Sequence, residues 1–207
     1  MDVHPIMIDD NTNLTLTASH NDEDTLEKLK RARQGSHYIL VYSDLPTLRK
    51  IYSQHIKRQI EEKKEIVLIL PHHETSDMVR YVLFELAKID VRKYEKQNSL
   101  LIIDSARAYF GSSIDIVSFV KSLVNYADQI GKNGVTVLTD MGPFFHYNKL
   151  DDLIEYETSL PRSDIKAKGL CLYNKDEFNW RLTRIQREKL FEHHGRELMI
   201  TTTPTVK

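Results

Sequence analysis

From residue 37 onward, short apolar runs alternate with longer amphipathic segments, and this alternation limits the fold more than any other feature. The amphipathic segments carry apolar residues at helical spacing, for example Leu48, Tyr52 and Ile56. The runs with the length of a buried strand are HYILVY, EIVLILP, SLLIIDS, GVTVLTDMG, KGLCLYN and ELMITT. Strands and helices that alternate in this way build parallel sheets covered on both faces. The sequence therefore predicts an α/β fold with a mostly parallel central sheet and helices on both faces.

The helical patterns fill the gaps between these strands. The predicted helices are LPTLRKIYSQHIKRQIEEKK, SDMVRYVLFELAKI, SSIDIVSFVKSLVNYADQIGKNG, NKLDDLIEYETSL and NWRLTRIQREKLFEHHG. Residues 1–22 are polar and acidic, which predicts a flexible arm or at most one added strand. Residues 23–35 run from acidic to basic and end at Gly35, which predicts a leading helix. We expect residues 36–203 to form a single domain.

Composition excludes several classes of protein. The chain of 207 residues has a formal net charge of −1, so nothing in it demands nucleic acid or an anionic membrane as partner. The single cysteine, Cys171, rules out a disulfide framework within one chain and favours a reducing compartment. The N-terminal segment does not resemble a signal peptide, and no apolar run approaches the roughly 20 residues of a membrane helix. We therefore expect a soluble, cytoplasmic protein with no membrane partner.

Polar residues follow almost every predicted strand. In an open parallel sheet, ligands bind beyond the C-terminal ends of the strands. This rule predicts a binding site for a small organic ligand at one edge of the sheet. The predicted ligand-binding residues are Ser43, Asp44, Thr47, His72, His73, Asp104, Arg107, Asp140 and Tyr173.

The junction after the first strand, where many α/β proteins bind a phosphate, contains no glycine. A P-loop needs glycines because backbone N–H groups must approach the phosphate closely. Residues 43–50 have none, Ile51 replaces the magnesium-binding hydroxyl, and Asp44 would oppose an incoming phosphate. We interpret the junction as a capped helix with Pro46 in its first turn. The alternative is a divergent nucleotide-binding ATPase that uses Lys50 or Arg49 with Asp104 at the end of LLIIDS.

No other pattern reaches the strength of a catalytic or metal motif, so we predict no catalytic residues, no metal and no cofactor. The pairs His72-His73 and His193-His194 are adjacent, and neighbouring side chains diverge. Cys171 lies in an apolar run, which indicates a buried, inert thiol. The arginines at 181, 184 and 187 surround Trp180, and we interpret them as a solvated helix face rather than a nucleic-acid surface.

A series of segments carries a family resemblance. In chain order they are HYILVYSD, EIVLILP, LLIIDSARAYF, TVLTDMG, LIEYE, GLCLYNKDEF and FEHHGRELMI. Together, over residues 36–201, they resemble the MEDS domain, the sensory domain named for methanogens, methylotrophs and the DcmR regulator. His37 and Tyr42 match an H-x-x-x-x-Y start, Asp140 and Met141 match an acidic-methionine pair, and Tyr156 with its flanking glutamates matches the EYE segment.

The resemblance implies a degenerate KaiC/RecA-like fold that senses small molecules such as hydrocarbon derivatives. It also implies signalling partners, a histidine kinase or a transcription regulator, and the capacity to form homo-oligomers. The chain departs from the family pattern in two ways: it has no recognisable output domain, and HHG stands where a His-Pro pair is expected. Our leading hypothesis is a non-catalytic sensory protein, and the alternatives are the divergent ATPase and an interaction protein without a small ligand.

Overall fold

The computed structural model describes residues 19–20, 22–111, 113, 115–160, 165–194 and 199–202. The strands are β1 Ser19–His20, β2 His37–Tyr42, β3 Ile66–Leu70, β4 Leu100–Ile102, β5 Val135–Asp140, β6 Ala167–Asn174 and β7 Met199–Thr202. The helices are α1 Asp22–Lys30, α2 Leu45–Glu61, α3 Ser76–Ala87, α4 Val91–Lys96, α5 Ser105–Phe110, α6 Ile116–Gln129, α7 Gly142–His146, α8 Leu150–Ser159, α9 Lys175–Arg181 and α10 Arg184–His194. Most of the expected N-terminal arm lies outside the described residues.

The strands form one seven-stranded sheet in the order β1-β7-β2-β6-β5-β3-β4. Every described pair of neighbouring strands is parallel. Helices cover both faces, so the predicted α/β class with a parallel sheet is confirmed. No described helix has the length and apolar character that a bilayer crossing requires.

Alternate residues of each strand point to two separate cores. We call the face that carries Leu40, Ile69 and Leu170 the front face, and α2 and α3 pack on it. The face that carries Val41 and Cys171 is the back face, where α7, α8, α9 and α10 pack. Helix α6 covers the same back face beside β3 and β5. Both faces bury apolar residues, which explains why the strand sequences are almost continuously apolar.

The strand order reverses between β3 and β5. The chain moves from β2 to β3 and β4 in one direction across the sheet, and then returns through β5, β6 and β7. Right-handed crossovers place the helices of the two directions on opposite faces. The chain therefore leaves the neighbouring strands β3 and β5 toward opposite faces, and this divergence opens a crevice at their C-terminal ends.

The C-terminal helical pattern, predicted as one helix from residue 179, is two helices. The side chain of Asn174 accepts a hydrogen bond from the Asp176 N–H at 2.9 Å, so α9 begins directly after β6. Thr183 Oγ1 then accepts from the Gln186 N–H at 3.2 Å and caps α10. Local capping therefore decided boundaries that the apolar spacing could not show. The short helices α4, α5 and α7 were also not predicted.

Two of the three arginines on this segment are structural. Arg181 Nη1 donates to the Phe145 carbonyl at 2.7 Å, and Arg187 Nη1 donates to the carbonyls of Asn179 and Leu182 at 2.7 and 2.8 Å. Two of the three side chains thus hold loops and helix ends together, instead of forming only a solvated basic face.

Candidate functional site

Three of the predicted site residues form a helix cap. Asp44 Oδ1 accepts from the Thr47 N–H at 2.8 Å, and Oδ2 accepts from Ser43 Oγ at 3.0 Å and Thr47 Oγ1 at 3.1 Å. Burial opposes ionisation, but these donors lower the pKa of the Asp44 carboxyl. The cap explains why the junction needs no glycine, and Pro46 occupies the first turn of α2 as predicted.

Asp104 and Arg107 are separated from this cap by the strand order. Asp104 Oδ1 accepts from the Arg107 N–H at 2.8 Å and caps α5. Strand β4 is the sheet edge, four positions from β2, so the two strand ends lie roughly 19 Å apart at the usual strand spacing. The ATPase alternative requires Lys50 and Asp104 to act together. Lys50 lies in α2, which follows β2, and Asp104 follows β4, so the two residues belong to segments that leave distant strands.

The crevice between β3 and β5 brings together His72, His73 and Asp140, and adds Glu177 from α9. His73 Nε2 lies 3.5 Å from Glu177 Oε2 and 4.0 Å from Asp140 Oδ1. The His72 and His73 rings are 4.9 Å apart. His146 of α7 extends the group, since its ring lies 5.7 Å from that of His72. We call this group the strand-end crevice.

The charges in the crevice depend on one another. Burial raises the pKa of Asp140 to about 6, although His73 and the Gly142 N–H, which donates to Oδ1 at 2.9 Å, favour the charged carboxylate. The hydrogen bond with Glu177 raises the pKa of His73 above its usual value, against the effect of burial. The carboxyl of Asp140 and the imidazole of His73 therefore each influence the charge of the other.

The Tyr42 hydroxyl is a polar atom at the base of the crevice. It is buried and has no hydrogen-bond partner among the described residues. Burial, with the nearby carboxylates of Asp140, Glu177 and Glu74, raises the pKa of this phenol well above its usual value. Tyr42 is therefore a neutral donor that a small ligand or a water could satisfy.

Gly142 keeps the crevice open. A Cβ at this position would lie 2.3 Å from His72 Cδ2 and 2.9 Å from His73 Nε2. Gly142→Ala should therefore displace both rings, lower the pKa of His73 toward its usual value, and cost about 1 to 3 kcal/mol of stability. Histidine titrations by NMR and urea denaturation measure the two effects.

Gly111→Ala is the control for Gly142→Ala. The three atoms nearest to its added methyl would all belong to Arg107, at distances from 3.1 Å. An unchanged His73 titration in Gly142→Ala would show that Glu177 does not set this pKa through the observed contact.

The ninth predicted residue, Tyr173, lies elsewhere. It is fully buried on the back face, in the core that contains Phe145 and Phe178. There it adjoins a polar group that the sequence analysis did not assemble: Glu157 of α8, Cys171 of β6 and His194 of α10. His194 Nε2 lies 3.0 Å from Glu157 Oε2, and both side chains are almost completely inaccessible, at 1% and 0% exposure.

A cavity adjoins this group on the back face, enclosed by β5, β6, α6 and α8. Its accessible volume is about 50 Å³. Its apolar walls include Ile116, Val117, Val120, Val137, Leu160 and Ile165, and its polar lining includes His37, Thr139, Tyr156 and Cys171. We call it the back-face cavity. Burial lowers the pKa of His37 to about 4, so this histidine is neutral at physiological pH.

Comparison with known proteins identifies the family. The family model described as MEthanogen/methylotroph, DcmR Sensory domain (MEDS) matches residues 36–186. This chain belongs to the MEDS family. The MEDS segments that carried the resemblance in sequence supply the residues around the back-face cavity: His37 from the first, Glu157 from LIEYE, Cys171 from GLCLYN and His194 from FEHHG. That shared origin was the signal that sequence reasoning did not use.

Structural comparison shows the fold alone. The MEDS chain is similar to the uncharacterized protein PH0321 from Pyrococcus horikoshii, whose crystal structure is in complex with an unknown peptide. The TM-score is 0.57 at 12% sequence identity, and the match covers 84% of this chain and 82% of the other. No curated protein matches this chain. The family therefore establishes a sensory domain, and the similar structure supports its α/β architecture.

Proposed function

We propose that this MEDS domain is a non-catalytic sensory module that binds a small, mainly apolar organic molecule in the back-face cavity and relays its presence to a protein partner. The observation that carries the proposal is the lining of the cavity: apolar walls from α6 and β5, with a few buried polar groups at one end. Ligand sites of soluble proteins combine apolar walls and a few fixed polar groups in this way.

The lining also indicates the chemistry of the ligand. A volume of about 50 Å³ exceeds the roughly 10–15 Å³ that one water needs, so several non-hydrogen atoms fit. His37 is neutral, and Thr139 and Tyr156 carry hydroxyl groups, so the polar end suits a neutral group that forms hydrogen bonds. Small alcohols, thiols or amides meet these requirements, and they fall within the hydrocarbon derivatives that the family resemblance implies.

A thermal-shift screen of small organic molecules, with Mg²⁺-ATP included, tests the proposal. A ligand at about 100 times its Kd should stabilise the protein by about 2.7 kcal/mol and raise the melting temperature by roughly 5 to 10 °C. Val120→Phe should abolish the shift because the larger ring fills the cavity. Val124→Phe, one turn further along α6 and outside the cavity lining, is the matched control.

Each result of the screen separates the proposals. If no molecule in the screen raises the melting temperature of wild-type protein, ligand sensing loses its support. An interaction protein without a small ligand would then be favoured. A shift produced only by Mg²⁺-ATP, and lost in Asp104→Ala and Lys50→Ala, would support the ATPase alternative.

A second candidate site is the strand-end crevice, because the Tyr42 hydroxyl has no described partner beside three carboxylates. A ligand there would be a small polar molecule or cation. The crevice retains His72, His73 and Asp140 of the predicted set. Ser43, Asp44 and Thr47 belong to the cap of α2, and Asp104 with the Arg107 N–H forms the cap of α5. A ligand-induced shift that survives Val120→Phe and is lost in Gly142→Ala would place the ligand in the crevice.

Relay to a partner requires two conformations with different affinity for the ligand. Helices α6 and α8 enclose the cavity and are the elements whose positions a bound molecule would change. A histidine kinase, a transcription regulator or a second copy of the chain would then recognise the ligand-bound arrangement.

A further inference from the structure

We infer that Glu157, Cys171 and His194 form a binding site for a divalent transition metal, best suited to Zn²⁺, at the inner wall of the back-face cavity. One carboxylate oxygen, the thiol sulfur and one imidazole nitrogen of these residues all lie within 4.8 Å of one another, and all three residues are buried. This inference goes beyond the sensory function and departs from the sequence-based prediction of no metal.

The donor set matches zinc in chemistry and charge. Zinc takes thiolate sulfur, imidazole nitrogen and carboxylate oxygen, and its structural and catalytic sites draw on these donors. A thiolate and a carboxylate together neutralise a dication, so the metal-bound group would carry no net charge inside the core. Without a metal, the core must hold the Glu157 carboxylate at 0% exposure against an imidazole, and buried ion pairs contribute little net stability.

The hydrogen bond on the far side of His194 supports the same assignment. His194 Nδ1 lies 2.9 Å from the Leu190 carbonyl oxygen, which can only accept, so Nδ1 carries the proton. In the neutral ring Nε2 then presents a lone pair to Glu157 Oε2 at 3.0 Å. Two lone pairs at that distance repel unless a proton on Nε2 or a metal cation lies between them. Metal-binding histidines are typically fixed by such a hydrogen bond from the other ring nitrogen.

The distances require only small adjustments. Tetrahedral zinc with bonds of about 2.0 to 2.3 Å holds its donor atoms roughly 3.3 to 3.8 Å apart. His194 Nε2 and Glu157 Oε2 lie 3.0 Å apart, and the ligand atoms of the three residues all lie within 4.8 Å of one another. Side-chain rotations on the order of 1 Å would therefore close the site around the ion.

Three protein ligands leave a fourth coordination position. Cys171 also lines the back-face cavity, so that position opens toward the cavity. Zinc sites with three protein ligands bind an exogenous donor in this position. If the proposed sensory function holds, the sensed molecule would coordinate the metal through an oxygen or sulfur atom. The metal site itself does not depend on that step.

Cobalt spectroscopy on the full chain tests the metal site. Cys171 is the only cysteine in the sequence, so a thiolate-to-Co²⁺ charge-transfer band can come only from this residue. After treatment with a chelator, titration with Co²⁺ should give one ion per chain, the charge-transfer band and the intense visible absorption of a tetrahedral site. Zn²⁺ should displace the cobalt.

The variants assign the ligands. Cys171→Ser should remove the charge-transfer band, and Glu157→Gln should weaken Co²⁺ binding at least tenfold. His146→Gln, in the strand-end crevice, should change neither result. Circular dichroism checks that each variant is folded.

Absence of the band in folded wild-type protein would overturn the inference, whatever the variants do. Cobalt binding that is lost in His146→Gln and kept in Cys171→Ser would overturn it as well, because the ion would then bind in the crevice. The cobalt band could appear while no organic molecule shifts the melting temperature. That result would support the metal site and contradict the proposed binding of an organic ligand.

Discussion

Replacing Lys168 with methionine should lower the free energy of unfolding by about 3 to 5 kcal/mol. Lys168 Nζ lies 2.9 Å from Glu65 Oε1, and the two side chains are only 6% and 4% exposed. Methionine fills much of the space of the lysine stem but removes the ammonium group. The loss arises because the Glu65 carboxylate stays buried without a counter-charge, which is far costlier than losing an exposed pair.

Two further hydrogen bonds keep the Glu65 carboxylate in its buried position. Gln34 Nε2 donates to Oε1 at 2.8 Å, and Thr136 Oγ1 donates to Oε2 in a short hydrogen bond. These neutral donors hold the carboxylate in place at the start of β3, between β5 and the segment before β2. The ion pair and these donors therefore link four parts of the chain that are distant in sequence at the N-terminal end of the sheet.

Urea denaturation of four proteins checks this prediction. Lys168→Met alone should show the full loss, and Glu65→Gln combined with Lys168→Met should recover most of it, because the neutral amide still accepts from Thr136. Lys166→Met is the matched control: Lys166 Nζ lies 2.8 Å from Asp128 Oδ1, but the pair is 61% and 47% exposed. Its loss should stay below about 1 kcal/mol. Equal losses for the two lysine variants would show that burial does not set the strength of the pair.

The sheet could be predicted from sequence because its signal is local. Each strand is an apolar run about as long as a strand must be, and α2 shows its buried face through Leu48, Tyr52 and Ile56. The short helices gave no such signal, since α5 has six residues and α7 has five, too few for a periodic pattern. Their boundaries come from single caps such as Asp104, which read equally well as a strand-end ligand.

The candidate site was only partly predictable because it depends on strand order. Sequence identifies which residues end strands, and the structure places His72, His73 and Asp140 in one crevice. Sequence does not show that β4 lies four positions from β2, which separates Asp104 from the cap formed by Ser43, Asp44 and Thr47. Glu157 lies in the predicted helix NKLDDLIEYETSL and Cys171 in an apolar strand, and neither pattern brings the two together. Only the packing of α8 and α10 on the back face brings them to His194.

Acidification should destabilise the protein through His55, and His55→Leu should remove this effect. His55 of α2 is 4% exposed on the front face, and Gln59 Nε2 lies 3.3 Å from its Nδ1, which suits the neutral ring. Burial, together with the charges of Lys168 and Arg58, lowers the pKa of His55 to about 3. In the unfolded chain the pKa is about 6.5.

The sign of the effect follows from this difference. Between pH 6.5 and 3 the unfolded chain binds a proton at His55 that the folded protein does not, so stability is complete above pH 6.5 and falls as the pH drops. At pH 4 the loss from His55 amounts to about 3 kcal/mol. The free energy of unfolding of wild-type protein should therefore fall relative to that of His55→Leu by this amount between pH 7 and pH 4, as measured by urea denaturation at each pH.

Other buried groups also change the stability of the protein with pH, so the wild-type protein must be compared with His55→Leu. His37, with its pKa lowered to about 4, adds to the acid loss. The raised pKa values of Asp140 and His73 act in the opposite direction, because these groups bind protons more tightly in the folded protein, so their contribution is lost as the pH rises. All three remain in His55→Leu and cancel in the difference.

Ile56→Ala, a buried neighbour on α2, should lower stability by the same amount at every pH. A pH slope in His55→Leu equal to that of wild type would contradict a neutral His55 in the folded protein.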